Sequence, residues 1–217
     1  MARQRMTGQQ RREQLIGIGL ALFAERGFEG TSVEEIAAKA GVSKPVVYEH
    51  FGGKEGLYQA VVKQEAEHVE SVLAEALGRG RSRYRVEQAV LAMLTYVEEH
   101  TDGFIILARD SDPDPDSPAR RQYGTLLNNS VAKATDILGN AMKRSGLDTR
   151  YSELYGQAMV GMVASVAKWW LDTKQPPKET VAAYLVNLIW NGLERMDDDP
   201  KLTENILTEG AVLGKKD

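Results

Sequence analysis

From Val33 to Phe51 the chain has room for two short helices and a tight turn, and for little else. Ser32 followed by Glu35 is a capping box, in which hydroxyl and carboxylate each take an amide left free at a helix start. The helix opened there, Val33 to Ala40, ends at Gly41, a residue that turns the chain at no steric cost. Ser43 stands where the next cap belongs. Pro45 is tolerated just inside that helix because early helical amides have no partner within it. Ala37 is small where the two helices would cross, and Val47 is a branched apolar plug between them. Small, glycine and branched apolar at those spacings is the helix-turn-helix pattern, or an ordinary helix pair, since Ala and Gly are common.

The remainder also reads as helix. Arg11 to Arg26 carries Leu15, Ile18, Leu22 and Phe23 at helical spacing, with Gly27 in a left-handed terminal position and Phe28 packing back on Phe23. Gly19 allows close packing, whereas Gly17 has no physical account. A long helix is predicted from about Lys54 to Leu77, and others at 84–100, 103–109, 118–145, 151–173 and 178–195, with a short one at 201–208. The stretch DSDPDPDSP is loop, after which Ser117 and Pro118 restart helix. The expected fold is all-α, with about nine helices. A three-helix domain spans residues 1–53 and a larger helical domain spans 54–217.

The absence of cysteine excludes disulfides and thiolate metal sites and fits a reducing compartment. The start, MARQRMTGQQRREQ, lacks the apolar core of a signal peptide. The richest apolar run, Ala158 to Ala167, falls short of the ~18 residues that span a bilayer. A soluble, cytoplasmic protein with no membrane partner is expected. The net charge of −4 is uneven: residues 1–56 carry eight Lys/Arg against seven Asp/Glu. Arg3, Arg5, Arg11 and Arg12 form a basic arm, either a solvated terminus or, beside a DNA-binding motif, a phosphate contact.

The run LIGIGLALFAERGFEGTSVEEIAAKAGVSKPVVYEHFGGKEGLY resembles the N-terminal signature of the tetracycline-repressor (TetR) family of regulators. The likeness covers residues 11–60 and rests on LF…RGF…TSV..IA..AGVS, on Tyr48 and Phe51, and on Lys54-Glu55. It implies a homodimer that binds a palindromic operator in double-stranded DNA, with the third helix in the major groove. By position, Lys44, Pro45 and Val46 face the bases, beside Ser43 at the helix start. Lys44 would bond guanine O6/N7, and Pro45 and Val46 would pack on thymine methyls. Tyr48 and His50 reach phosphates, and Thr31, Ser32 and Lys54 stand at helix starts that favour anions. Val47 and Phe51 look inward. The family commonly has Gly or Ala and then Thr where this chain has Pro45 and Val46, so base readout becomes more apolar. Glu49 either accepts from cytosine N4 or points to solvent.

Between Ala158 and Leu171 only Ser165 and Lys168 are strongly polar, and between Val181 and Leu193 only Asn187 and Asn191 are. A helix apolar on nearly every side must be covered on nearly every side. The resemblance implies that a second copy supplies the cover, in a four-helix interface expected to hold Val163, Ala167, Trp170, Leu185, Leu188, Ile189 and Gly192. Met93, Tyr96, Phe104, Leu107, Tyr123, Leu127, Met142, Met159, Met162 and Trp169 are either plain core or the lining of the small-molecule pocket that the resemblance implies. Arg109 and Asn128 would be its polar handles. The implied effector is apolar or amphipathic and releases DNA from a repressor. The rival reading is a ligand-free or partner-responsive DNA-binding protein whose larger domain serves only dimerisation.

No catalytic constellation stands out, and neither an enzyme nor a cofactor is expected. Glu65 and His68 have the Glu-x-x-His spacing of di-iron bundles but lack the second pair such sites need. His100 is a lone helix-end histidine. The aspartates at 110, 112, 114 and 116 alternate with prolines at 113 and 115, and no turn glycine follows, so no calcium loop is read there.

Overall fold

The computed structural model describes residues 6–78, 80–108 and 118–194. Arg3, Arg5, Arg109, the acidic loop at 110–117 and the expected helix at 201–208 lie outside them. Among the described residues there are nine α-helices and no strand.

Helix α1 (Gly8–Arg26) begins earlier than its apolar stripe, because Thr7 and Gln10 form a capping box: the Thr7 hydroxyl accepts from the Gln10 amide at 3.2 Å, and the Gln10 side chain accepts from the Thr7 amide at 2.9 Å. It stops at Gly27, whose φ of 75° and extended ψ of 175° differ from the left-handed helical conformation expected. Helices α2 (Val33–Ala40) and α3 (Lys44–Phe51) are joined through Gly41, which is left-handed at φ 64° and ψ 37°. Ser32 and Glu35 make both bonds of their capping box. Ser43 occupies the N-cap of α3 but makes no side-chain cap bond. Pro45 has removed one amide such a cap could bond, and the Val46 amide is taken by the backbone carbonyl of Ser43 at 3.0 Å.

Helix α4 (Lys54–Leu77) is the spine against which this head packs. Val47 is fully buried with Leu15, Ile36 and Leu57. A Cβ on Gly19 would stand 3.1 Å from the Leu57 side chain, so glycine is what lets α1 and α4 cross this closely. Phe23 and Phe28 stack at 6.1 Å, and Tyr58 closes the triangle at 5.0 Å from each ring.

The larger part continues with α5 (Ser82–Glu99), α6 (Thr101–Ala108), α7 (Pro118–Arg144), a short 3-10 turn at Thr149–Tyr151, α8 (Ser152–Thr173) and α9 (Lys178–Glu194). Helices α4 and α5 pack as one pair, α7 and α8 as another, and α9 lies along α5. At the α7–α8 crossing a Cβ on Gly156 would meet the Thr135 hydroxyl at 2.6 Å. Helix α6 packs on both α4 and α1, which ties the larger part to the head. The α8–α9 turn grips the place where α6 begins. Lys174 donates to the Thr101 hydroxyl at 2.7 Å, and Lys178 to the Glu98 carboxylate at 2.6 Å. No helix among the described residues is long and apolar enough to cross a membrane.

Candidate nucleic-acid interface and ligand chamber

Helix α3 offers its first turn outward. Ser43, Lys44, Pro45 and Tyr48 are exposed, Val46 and His50 are half-buried, and only Val47 is sealed in the core. The Lys44 ammonium is ion-paired with the Glu34 carboxylate in the first turn of α2. The hydrogen bond from Lys44 holds Glu34 below the usual carboxylate range. At the other end of α3, the Arg12 guanidinium of α1 lies over the Phe51 ring at 4.7 Å.

Three residues expected at phosphates have partners within the chain. Thr31 is buried, and its hydroxyl donates to the carbonyls of Gly27 at 2.9 Å and Leu22 at 3.2 Å, which spends it on closing α1. The Ser32 hydroxyl is committed to Glu35 in the capping box. Lys54 donates to the Phe28 carbonyl at 3.1 Å with its ammonium 4.1 Å from the Phe28 ring centre. Local sequence identifies a helix start but not what the neighbouring helix offers the same side chain.

Helices α4, α5, α7 and α8 enclose a chamber of about 500 Å3, closed on one side by Ile189 and Trp190 of α9. Its walls are apolar, with Val69, Leu73, Val90, Leu126 and Leu138 among them. Its polar groups include Glu70, Asn129, Ser130 and Lys133. Asn129 donates to Glu70 at 2.7 Å, and Lys133 is exposed, so these groups form a rim rather than a wall. Of the candidates from sequence, Met93, Tyr123, Leu127, Met142 and Met159 line this chamber.

The other candidates do not line it. Phe104 and Leu107 are buried through α6, and Met162 packs half-buried against the core. Asn128 faces outward, and its neighbour Asn129 takes the rim. Tyr96 is almost fully buried and donates to the carboxylate of Glu65 at 2.8 Å. The two press against α6, where a Cβ on Gly103 would lie 2.0 Å from Glu65 Oε2 and 2.6 Å from the Tyr96 hydroxyl. His68 and His100 meet nearby, rings 4.4 Å apart, with Tyr96 stacked on His100 at 5.4 Å. Among the described residues, no three His, Cys, Asp or Glu side chains are grouped to hold a metal ion.

The expected dimer face also needs correction. Ala167, Trp170, Leu185 and Ile189 are buried within the single chain, and Val163 lines the chamber. The Trp170 indole donates to the Pro176 carbonyl at 2.8 Å. Only Leu188 and Gly192 of the expected set face outward. They are joined there by Leu154, Tyr184 and Trp169, exposed by 63%, 75% and 56%, the last of which was read as a pocket residue. Helices apolar all round give no periodic signal to separate inner from outer stripe. The outward small residues Ala158, Gly161 and Ser165 offered the one usable hint.

The profile described as "Bacterial regulatory proteins, tetR family" matches residues 15–61, and that described as "Tetracyclin repressor-like, C-terminal domain" matches residues 82–192. The chain is 29% identical over 196 residues to the HTH-type transcriptional activator FasR of Mycolicibacterium smegmatis, covering 88% of this chain and 87% of FasR. Among solved structures it is similar to a TetR-like transcriptional regulator from Rhodococcus sp. RHA1, with a TM-score of 0.74 and 25% identity over 88% of this chain and 100% of that one. The fold is also that of FadR from Bacillus subtilis in complex with stearoyl-CoA, at a TM-score of 0.67 and 17% identity, over 83% of this chain and 98% of that one.

Proposed function

The chain belongs to the tetR family of bacterial regulatory proteins, and on that premise we propose that it is a cytoplasmic homodimer that binds a palindromic operator and leaves it when an amphipathic small molecule enters the chamber. Residues 1–53 form the reading domain in this view, and residues 54–217 form the domain that takes the effector and pairs the two copies. The observation that carries the reading is the orientation of α3, with Lys44, Pro45 and Tyr48 exposed while Val47 anchors the helix from beneath. That leaves the first turn free to meet base edges, as a recognition helix must. Pairing is supported by the exposed apolar side chains of Leu154, Trp169, Tyr184 and Leu188 on α8 and α9, which a second copy would cover.

The chamber supports an effector with a long apolar part and an anionic head. Its size lies within the usual range for ligand pockets, and Lys133 at the rim suits a negative group left near solvent. FadR, named in its complex with stearoyl-CoA, holds a ligand of that chemistry, and long-chain acyl thioesters are the class we assign. Repression remains the default direction. That FasR is named an activator favours a second reading, in which the same operator binding promotes transcription.

The test begins with a duplex selected from a random-sequence pool by the full-length protein. Stearoyl-CoA at 100 times its dissociation constant should stabilise the fold by about 2.7 kcal/mol and release that duplex in the same titration. Light scattering should give a dimer. If neither stearoyl-CoA nor a panel of shorter and neutral amphiphiles stabilises or releases, the ligand-free rival takes over.

A further inference from the structure

Two acids open α2, and the structure uses them differently. Glu35 is bound into the Ser32 cap and accepts from Arg26 at 2.6 Å. Glu34 turns to the other side and pairs with Lys44, the first residue of α3. Both partners of that pair are more than half exposed. A carboxylate on a surface that meets phosphates is a poor choice for raw affinity. Here it sits against the cation best placed to read a base.

We propose that Glu34 is a specificity-determining residue: it acts as a built-in counter-ion for Lys44, so that this lysine gains little from phosphates and still serves a base. The proposal rests on the reading of α3 as the recognition helix. Each lysine that neutralises a phosphate releases about one condensed cation from the duplex, and that release drives binding to DNA of any sequence. Lys44 paired with Glu34 brings no net charge to a phosphate, so the release is not obtained. A guanine edge is a different partner, because its O6 and N7 are neutral acceptors. An ammonium has three donors and can keep one on Glu34 while the others reach the base. The pair therefore penalises the contact common to all DNA and spares the contact particular to one sequence.

The experiment uses the full-length protein, the duplex selected from a random pool and a scrambled duplex of equal length, with binding followed by anisotropy across a salt series. Glu34→Gln should bind the scrambled duplex roughly threefold to tenfold tighter at low salt, with the slope of log K against log salt steeper by about one counter-ion. The selected duplex should change less, so the ratio of the two affinities falls. In a Lys44→Ala background the same substitution should lose this effect, and Glu67→Gln, which removes the same charge from an exposed ion pair with Lys63 on α4, should not reproduce the fall in ratio. Thermal melting without DNA should match wild type, which separates the effect from folding. Equal changes on both duplexes, no change on either, or a gain that survives Lys44→Ala would overturn the proposal. If wild type enriches no sequence from the pool, the base-reading role of α3 fails first and takes this inference with it.

Discussion

Replacing Gly103 with alanine should destabilise the fold, although the same change in most helix interiors does the opposite. Alanine is favoured over glycine in a helix by about 1 kcal/mol. At Gly103 that gain meets an obstacle, because the new Cβ would lie 2.0 Å from Glu65 Oε2, 2.7 Å from Glu65 Cδ and 2.6 Å from the Tyr96 hydroxyl. Neither side chain is free to move aside, since both are buried and bonded to each other at 2.8 Å. Separating them leaves a buried group unsatisfied, at about 1–3 kcal/mol. Overpacking of the crowded site adds about 1–3 kcal/mol more. Set against the helical gain, the net expectation is a loss of roughly 1–5 kcal/mol. Urea unfolding should be followed at one fixed protein concentration, because the proposed dimerisation would contribute to apparent stability. Gly17→Ala is the control, with nothing within 4 Å of its Cβ and an exposed site in α1, and it should stabilise. In a Glu65→Ala background the added cost of Gly103→Ala should largely vanish. If Gly103→Ala is as stable as wild type, or costs the same with and without the Glu65 carboxylate, the packing argument is wrong.

Burial and then the charge of Glu65 push the Tyr96 hydroxyl well above its ordinary value near 10. Above about pH 10 the unfolded chain has released this proton while the folded chain keeps it, so stability falls with rising pH by up to about 1.4 kcal/mol per unit. Tyr96→Phe should show a shallower alkaline loss in urea midpoints, and equal slopes would refute the assignment. Leu188→Glu should shift the proposed dimer towards monomer on a sizing column with helical content retained, because Leu188 is 62% exposed in the single chain. Ala167→Glu, at a site with no exposure, should unfold instead, and the reverse pattern would exchange the two faces of α8 and α9. Lys54→Ala should cost about 1 kcal/mol of stability without DNA, since its ammonium bonds Phe28 twice over, by carbonyl and by ring. Melting identical to wild type would return Lys54 to the phosphate-contact role.

What was legible in the sequence follows from how far each interaction reaches along the chain. The Ser32–Glu35 cap, the Gly41 turn and the inward Val47 are set by residues a few positions apart, and the structure has all three as read. The Ser43 cap failed within the same short range, because Pro45 removes a donor the cap would use. The Glu65–Tyr96 bond joins residues 31 apart, and the need for glycine at 103 exists only once that bond is formed. Thr31 shows the same limit in the head: its hydroxyl also reaches the Leu22 carbonyl of α1, nine residues back, a partner that no spacing rule names. The chamber was legible as a set of large side chains, not as a place. Tyr123 and Leu127 fell inside it and Phe104 and Leu107 outside, because α6 turned to the head and α7 to the chamber.

The ion pair between Lys44 and Glu34 also bears on time. A regulator reaches its operator by sliding and hopping among ~10⁶–10⁹ competing stretches of DNA, and each visit lasts as long as its phosphate contacts hold. On the reading proposed for α3, a lysine that carries its own counter-charge leaves arbitrary sequence sooner. Its dwell on each wrong stretch shortens, more of them are sampled per second, and the head spends its lifetime searching instead of waiting.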